Sequence, residues 1–482
     1  MNIQPKHIHL IGICGTAMAS LAGMLREQGH RVTGSDAASY PPMNGMLASL
    51  GIPILEPYTE QNLQPHPDLV VVGNAISRGN PELEYVLDHR LPLTSMAALL
   101  HAEFLAGRET LAVAGTHGKT TTTSMLAWIY EVASRADRFL APSFLIGGIA
   151  ENFSASFQIR PSNTFLIEAD EYDTAFFDKG PKFLHYFPHC AILTHVEFDH
   201  ADIYADLDQV KTAFRRLVNL IPRSGRLVAF DASANVTDCV RNAFCTVERY
   251  GFAPSSHWRI TDLQHTGATS TWQLHRAGEP FARLTLPMAG EHNALNATAA
   301  AALAAGQGVP TPAIVEALQT FQSVKRRLEV VAEVGGVTVI DDFAHHPTAI
   351  RETLRALRAA YPGRRLVAVL EPRSNTLRRR VFEAELVDAL AIADQVLVAS
   401  VFRSEAIPEL ERLHPEAVVA QLRGQGTPAT SHPDTESIVA HLAQHTSSGD
   451  VIAVLSNGAF GSIYTKLPRA LEAVAPVATP AS

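Results

Sequence analysis

The chain has 482 residues, 46% of them hydrophobic and 18% charged, with a formal net charge of −9. That length suggests about three domains of ~150 residues, and the acid excess argues against a nucleic-acid binder with a broad basic face. Cys14, Cys190, Cys239 and Cys245 form no C-x-x-C pair, so their spacing gives no metal site and fits a reducing compartment.

Met1 to Lys6 lead into strand-like His7–Ile11 without a signal-peptide pattern, and no apolar run reaches the length of a membrane span. The cytoplasm is therefore the expected location, without membrane insertion. The first unit continues with a glycine turn, Gly12 to Met18, a helix from Ala19 to Gln28, a strand ending at Ser35-Asp36 and another over Asp68–Val72. This is a Rossmann-like start, with a helix N-terminus for a diphosphate and an acid after the second strand for a ribose. Gly15 follows Gly12 by three residues and the third glycine of G-x-G-x-x-G is missing. A nicotinamide-dependent oxidoreductase is accordingly the weaker alternative.

The second unit carries the strongest signal. Apolar Leu111–Ala114 precedes Gly115-Thr116-His117-Gly118-Lys119-Thr120-Thr121, and a helix is expected from Ser124. Strand, glycine turn, lysine, hydroxyl and helix together form a phosphate cradle. Amides at the helix start face anionic oxygens, the lysine reaches the outer phosphates, and Thr120 offers its hydroxyl to Mg²⁺. The turn is shorter than the usual G-x-x-x-x-G-K-[ST], because Val113 occupies the position of the first glycine. ATP and Mg²⁺ are the expected cofactors, and a non-catalytic nucleotide switch is a further alternative. Strands at Thr164–Ile167 and Cys190–Leu193 end in Glu168-Ala169-Asp170-Glu171-Tyr172-Asp173 and in Glu197, Asp199 and His200. Four carboxylates in six residues repel one another unless a cation is present, and Mg²⁺ takes oxygen ligands. His292, Asn293 and Asn296 accompany a helix over Asn293–Ala305; the amides suit an adenine edge, although Asn293 alone reads equally as an N-cap.

The third unit follows Lys325-Arg326-Arg327, a basic hinge whose Arg327 could reach a γ-phosphate. Its strands, Val337–Ile340, Leu366–Leu370 and Val451–Leu455, end in Asp341-Asp342-Phe343-Ala344-His345-His346-Pro347, Glu371-Pro372-Arg373-Ser374-Asn375 and Ser456-Asn457-Gly458. Pro347 suits the first turn of a helix. Alanine- and proline-rich Ala473–Ser482 reads as a frayed tail.

Taken together, Gly12–Met18, Gly34–Asp36, Gly115–Thr121, Glu168–Asp173, Glu197–His200, Glu291–Asn296, Lys325–Arg327 and Asp341–Pro347 resemble the Mur ligase family in motif and in order. These are ATP-dependent amide-forming enzymes of peptidoglycan assembly. The resemblance implies an α/β protein of three domains: a Rossmann-like UDP-sugar domain (1–108), a central P-loop ATPase domain (109–324) and a Rossmann-like amine-substrate domain (325–482). It implies that Gly115 to Thr121 and Lys119 hold phosphates. Thr120, Glu171 and His200 would hold Mg²⁺, and His292, Asn293 and Asn296 adenine. Asp342 would hold ribose, Arg327 the γ-phosphate, and Gly15, Thr16, Ala17, Met18, Ser35, Asp36 and Asn74 the UDP-sugar. Lys119, Glu171, His200 and Arg327 are the expected catalytic set.

Within the family, Asp-Asp-aromatic-x-His-His-Pro is similar to the members that add L-alanine to UDP-N-acetylmuramate. Their E-P-H-R-Y-T-R pattern is broken here, with Ser374 and Leu377 where two arginines stand. Tyr40–Met43, Gly73-Asn74-Ala75, Arg78–Pro81, Ala175–Lys179, Asp342–Ile350 and Ser456–Gly458 instead resemble members that attach the murein tripeptide L-alanyl-γ-D-glutamyl-meso-diaminopimelate to UDP-N-acetylmuramate. His345, Arg373, Ser374 and Asn375 are then the candidates for the peptide. Alanine ligation remains the alternative, and a monomer or weak homodimer is expected. Relatives with a carbamylated lysine carry it fifteen residues past the histidine matching His200; Arg215 stands there, so none is expected at this position.

Overall fold

The structure, a computed structural model, describes residues 4–39 and 43–474. Tyr40, Pro41 and Pro42, and all but the start of the expected tail, lie outside the described residues. No helix among those described is long and apolar enough to cross a membrane.

Three sheets follow one another along the chain. In the first, β1 (His7–Ile11), β2 (Arg31–Ser35), β3 (Ile54–Leu55), β4 (Leu69–Val72) and β5 (Leu93–Ser95) run parallel in the order β3-β2-β1-β4-β5. The chain turns to opposite sides of the sheet around β1, and the crevice beyond the ends of β1 and β4 is the switch point where such folds bind ligands. The following helix starts at Thr16 rather than Ala19, so Thr16 to Met18 form its first turn. Strands β3 and β5, of two and three residues, are too short to announce themselves by periodicity.

The second sheet has ten strands. Its parallel centre is β7 (Ser143–Ala150), β9 (Thr164–Ala169), β6 (Glu109–Ala114), β12 (Cys190–Leu193), β13 (Arg226–Phe230) and β14 (Thr246–Gly251), in that spatial order. β8 (Ala155–Gln158) pairs antiparallel with β7 at one edge, and β15 (Trp258–Thr266), β16 (Thr269–Arg276) and β17 (Glu279–Leu286) extend the other. A separate hairpin, β10 (Asp173–Ala175) with β11 (Asp178–Pro181), follows β9. Because β6 lies between β9 and β12, the glycine loop, the carboxylate run and the Thr194–His200 segment emerge side by side. The helix after β6 is Lys119–Ser134, five residues longer at its start than expected. Two of its buried hydroxyls bond back one turn, Thr123 Oγ1 to Lys119 O and Ser124 Oγ to Thr120 O, each at 2.8 Å, which satisfies those two inside the helix.

In the third sheet β18 (Glu329–Val334) lies antiparallel to β19 (Val337–Asp342). β23 (Val451–Leu455), β20 (Leu366–Leu370), β21 (Gln395–Ala399) and β22 (Ala429–His432) then follow in parallel. β23 enters between β19 and β20, which brings the three polar strand ends anticipated from sequence into one cluster. Pro347 is the first residue of the helix Pro347–Ala360 and His346 is its N-cap.

Candidate active site

The glycine loop leads into an uncapped helix start. Gly118, at φ 80°, is the N-cap of Lys119–Ser134, and no side chain caps that end. The amides of a first helical turn have no intrahelical partners and carry the positive end of the dipole. Gly115 has φ 131°, and a Cβ there would lie 2.2 Å from Thr194 Oγ1; one on Gly118 would lie 2.6 Å from Asn296 Oδ1. Both glycines are therefore required by backbone angle and by space. Thr116 N and Oγ1 donate to His195 O, and Thr194 Oγ1 donates to His117 O at 2.6 Å, pinning the loop to the strand end beside it. Thr121 is buried in the first helical turn.

Lys119 points back into the acidic cluster. Its Nζ is 2.8 Å from Gly115 O and from Glu171 Oε2, and 3.6 Å from Asp170 Oδ1. Burial opposes its charge, but Glu171 and Asp170 prevail and raise its pKa. Glu171, 1% exposed, feels the same contest: burial pushes it up, while Lys119 and His200 hold it down at about 2. His200 Nε2 lies 3.3 Å from Glu171 Oε1, an oxygen with no hydrogen-bond partner. Burial lowers the His200 pKa, yet Glu171 and Asp199 outweigh it and the net shift is upward. Thr120 Oγ1 does not face Glu171; it donates to Glu168 Oε1 at 2.8 Å. Burial, then Asp170, raises Glu168 to about 7. An orphaned carboxylate oxygen, a hydroxyl and a carboxyl group forced toward its neutral form are what a divalent cation would relieve, so these residues fit Mg²⁺.

The hinge divides its arginines. Arg326 is anchored in the third domain, its guanidinium on Asp341, the carbonyls of Ser456 and Gly458, and Tyr464. Arg327 instead lies over Phe343, 5.1 Å from the ring centroid, and lines a cavity of about 400 Å³ with Met288, Ala289, Lys325, Ile340 and Ala356. Ser323, Arg326 and Leu328 all adopt positive φ, between 52° and 73°, a strained stretch of the kind found at hinges and sites. His292 Nδ1 is buried without a partner, and burial, with His195 and Arg327, lowers the His292 pKa to about 4. Asn293 is not the N-cap. It sits within the helix Glu291–Gly306, capped by Gly290, and donates to Ala289 O at 2.8 Å. Asn296 abuts the phosphate loop at Gly118. Asp342 departs from expectation: it accepts from Leu328 N, Ala344 N and Thr353 Oγ1, which uses three of about four acceptor positions and makes it first of all a clasp on the hinge.

Across the cleft His345, Arg373, Ser374 and Asn375 line a cavity of about 300 Å³ together with His200. Arg378 and Arg403 complete a ring of three guanidiniums. Arg403 adopts the left-handed conformation, at φ 47°, and Arg373 stacks 3.8 Å from the centroid of Phe402. His345 donates Nδ1–H to Phe343 O, which leaves Nε2 with its lone pair; burial lowers its pKa to about 4. Asn375 is drawn into a domain contact, with Nδ2 on Asp202 Oδ2 at 2.7 Å and Oδ1 taken by Arg378.

In the first domain Gly15 caps Thr16–Glu27 without a side-chain bond, and Gly15 and Asn74 are exposed at the ends of β1 and β4. Thr16 and Ala17 are half-buried and Met18 is buried beneath them. Asp36 accepts from Cys14 N at 2.9 Å and from Tyr58 OH at 3.2 Å, tying the glycine turn to the end of β2. Ser35 corrects the sequence reading. It is fully buried and its hydroxyl donates to Glu82, so it is spent inside the domain.

Three family descriptions match the chain in order: "Mur ligase family, catalytic domain" over 7–107, "Mur ligase middle domain" over 113–304 and "Mur ligase, glutamate ligase domain" over 326–458. The UDP-N-acetylmuramate–L-alanyl-γ-D-glutamyl-meso-2,6-diaminoheptandioate ligase of Escherichia coli K12 is 41% identical over 95% of this chain and 97% of its own length. The chain belongs to the Mur ligase family. Among solved structures, a murein peptide ligase of Psychrobacter arcticus is 37% identical with a TM-score of 0.72, covering 97% of this chain and 99% of that one. A UDP-N-acetylmuramate–alanine ligase of Thermotoga maritima, 23% identical with a TM-score of 0.80 over 97% of this chain and 99% of that one, shares the fold.

As a Mur ligase this protein is ATP-dependent, and its cleft contains more than motifs revealed. Tyr172, Arg378, Phe402, Arg403 and Asn457 line the arginine-rich cavity. Arg403 stands on a loop after β21 with no motif around it; its left-handed backbone was the only local signal, and sequence does not display φ. Glu82, buried and accepting from His9, Ser35, Thr59 and Asn62, is spread over four segments and equally invisible. Arg215 pairs with Asp238 at 2.5 Å.

Proposed function

We propose that this Mur ligase joins L-alanyl-γ-D-glutamyl-meso-diaminopimelate to UDP-N-acetylmuramate at the expense of ATP, a reaction of peptidoglycan recycling. The near-full-length identity to ligases of that name supports the reading. The observation that carries it is the cavity beside His200, where Arg373, Arg378 and Arg403 converge. The tripeptide bears three carboxylates, and three guanidiniums suit them by charge and by forked geometry. A single alanine bears one.

The mechanism follows from what each group can do. A carboxylate resists an amine because oxide is a poor leaving group; phosphorylation by ATP gives an acyl phosphate, and the amine then displaces phosphate. The protein positions the partners and neutralises charge. Loop amides from Gly115 to Thr121 cradle the phosphates, and Lys119 swings from Glu171 to the outer ones. Arg327 approaches the γ-phosphoryl group from the hinge. His292, Asn293 and Asn296 border the base, with Asp342 offering its remaining acceptor position to the ribose. Thr120, Glu171 and His200 would hold Mg²⁺, with Glu168 beside Thr120, and the ion would offset phosphate charge. The turn Gly15 to Met18, with Asp36 and Asn74, receives the UDP-sugar, and the domains divide near residues 108 and 324. His345, neutral with Nε2 exposed to the cavity, orients the incoming amine, while Ser374 lines its path. Purified enzyme given ATP, Mg²⁺ and UDP-N-acetylmuramate should release ADP with the tripeptide and little with L-alanine. Equal or greater turnover with L-alanine would overturn the assignment.

A further inference from the structure

The cleft holds a second constellation that ligation does not use. His117 Nε2 lies 3.1 Å from Glu197 Oε2, His346 Nδ1 lies 3.6 Å from the same oxygen, and the three ligand atoms all fall within 4.8 Å of one another. The rings of His117 and His346 are 4.6 Å apart. His117 belongs to the phosphate loop, Glu197 to the segment after β12, and His346 to the third domain.

The cluster is oriented from behind. His346 Nε2 is 3.2 Å from Phe198 O. A carbonyl only accepts, so Nε2 carries the proton and Nδ1 presents a lone pair. That lone pair takes a long 3.3 Å bond from Thr348 N and otherwise faces the Glu197 carboxylate. Thr348 Oγ1 fixes that carboxylate at 2.7 Å. Two acceptors turned toward each other are relieved by a cation. An imidazole whose other nitrogen donates to a backbone carbonyl, beside a carboxylate held by a hydroxyl, is the outer-shell arrangement that positions metal ligands.

We propose that His117, Glu197 and His346 form a binding site for a borderline transition-metal dication of the Zn²⁺ type, separate from the oxygen-rich Mg²⁺ position. Two imidazoles and one carboxylate, with a fourth place for water, suit Zn²⁺ and are poor for Mg²⁺. Because the ligands come from two domains, the bound metal clamps the phosphate loop to the third domain and holds the cleft closed. The inference does not depend on which amine the enzyme uses.

The test is equilibrium dialysis of the full chain against Zn²⁺ in excess Mg²⁺, with Co²⁺ absorption reporting coordination. Wild type should retain one equivalent of Zn²⁺, and Co²⁺ should give the intense visible bands of a four-coordinate site. His346→Asn, which preserves a helix cap, and Glu197→Gln should each weaken binding at least ~10-fold, while Glu171→Gln should not. Thermal melts confirm folding, and His117→Ala serves if a variant fails to fold. No stoichiometric Zn²⁺ in wild type overturns the proposal. So does Zn²⁺ that survives all three cluster variants, which would put it elsewhere, for instance on the stacked His441–His445 pair. Loss of Zn²⁺ in Glu171→Gln alone overturns it too.

Discussion

Lys119→Ala should expose both jobs of the phosphate-loop lysine. Lys119 Nζ sits 2.8 Å from Glu171 Oε2, and Glu171 is 1% exposed. Removing a partner from a buried pair costs ~3–5 kcal/mol. His200, 3.3 Å from the other oxygen, remains as a counter-charge and favours the lower end. A loss of ~3 kcal/mol would lower the melting temperature by ~6–12 °C for a domain of this size. During turnover the same deletion leaves the transferring phosphoryl group short of one cation, worth ~2–4 kcal/mol, or roughly 30- to 1000-fold in kcat. Coupled ADP-release kinetics and calorimetry on one preparation read both effects. A variant within threefold of wild-type turnover would refute the placement of ATP, whatever its stability.

Arg403→Ala and Arg378→Ala should each raise KM for the tripeptide about 10- to 100-fold, the worth of a charged hydrogen bond, with a smaller effect on kcat; steady-state kinetics against tripeptide concentration checks this, and unchanged KM in both would remove them from the peptide site. Gly115→Ala should abolish ATP binding in a calorimetric titration, since its Cβ would stand 2.2 Å from Thr194 Oγ1 at φ 131°; retained affinity would mean the loop can re-form. Acid should destabilise the free protein early. Burial holds His195, His292 and His345 near 4 and His346 near 3, against 6.5 unfolded. The unfolded chain therefore binds more protons between those values, so this stability is complete above about pH 6.5 and falls as pH drops. Glu168, raised to about 7, opposes this with one proton above its unfolded value of 4.5. Urea unfolding should show a slope of up to ~4 kcal/mol per pH unit near pH 5; a flat profile from pH 7 to 5 would contradict the burial of these rings.

The chemistry at strand ends was legible because each parallel strand announces itself as a short apolar run and its ligand-facing residues come next. Gly115–Thr121, Glu168–Glu171 and His200 read as strand-end residues in that way, and the structure places them at the ends of β6, β9 and β12. What stayed hidden depended on spatial neighbours. Ser35 reads as a UDP-sugar contact until Glu82, 47 residues on, captures its hydroxyl. Asn375 sits in a motif yet is spent on Asp202 across a domain boundary. Thr120 finds Glu168 rather than Glu171 because β6 and β9 are adjacent in register, Val113 beside Glu168. The strands β15 to β17 carry no continuous apolar run, and β17 is exposed or half-buried over its first five residues, so they lack the signal that marks the parallel strands.

The central claim is that the γ-phosphoryl group of ATP passes to the muramyl carboxylate in this cleft. UDP-N-acetylmuramate labelled with ¹⁸O in that carboxylate tests it most directly. Mass spectrometry of the products should find one ¹⁸O in inorganic phosphate for each amide formed. Label appearing in AMP, or absent from phosphate while the amide accumulates, would contradict it.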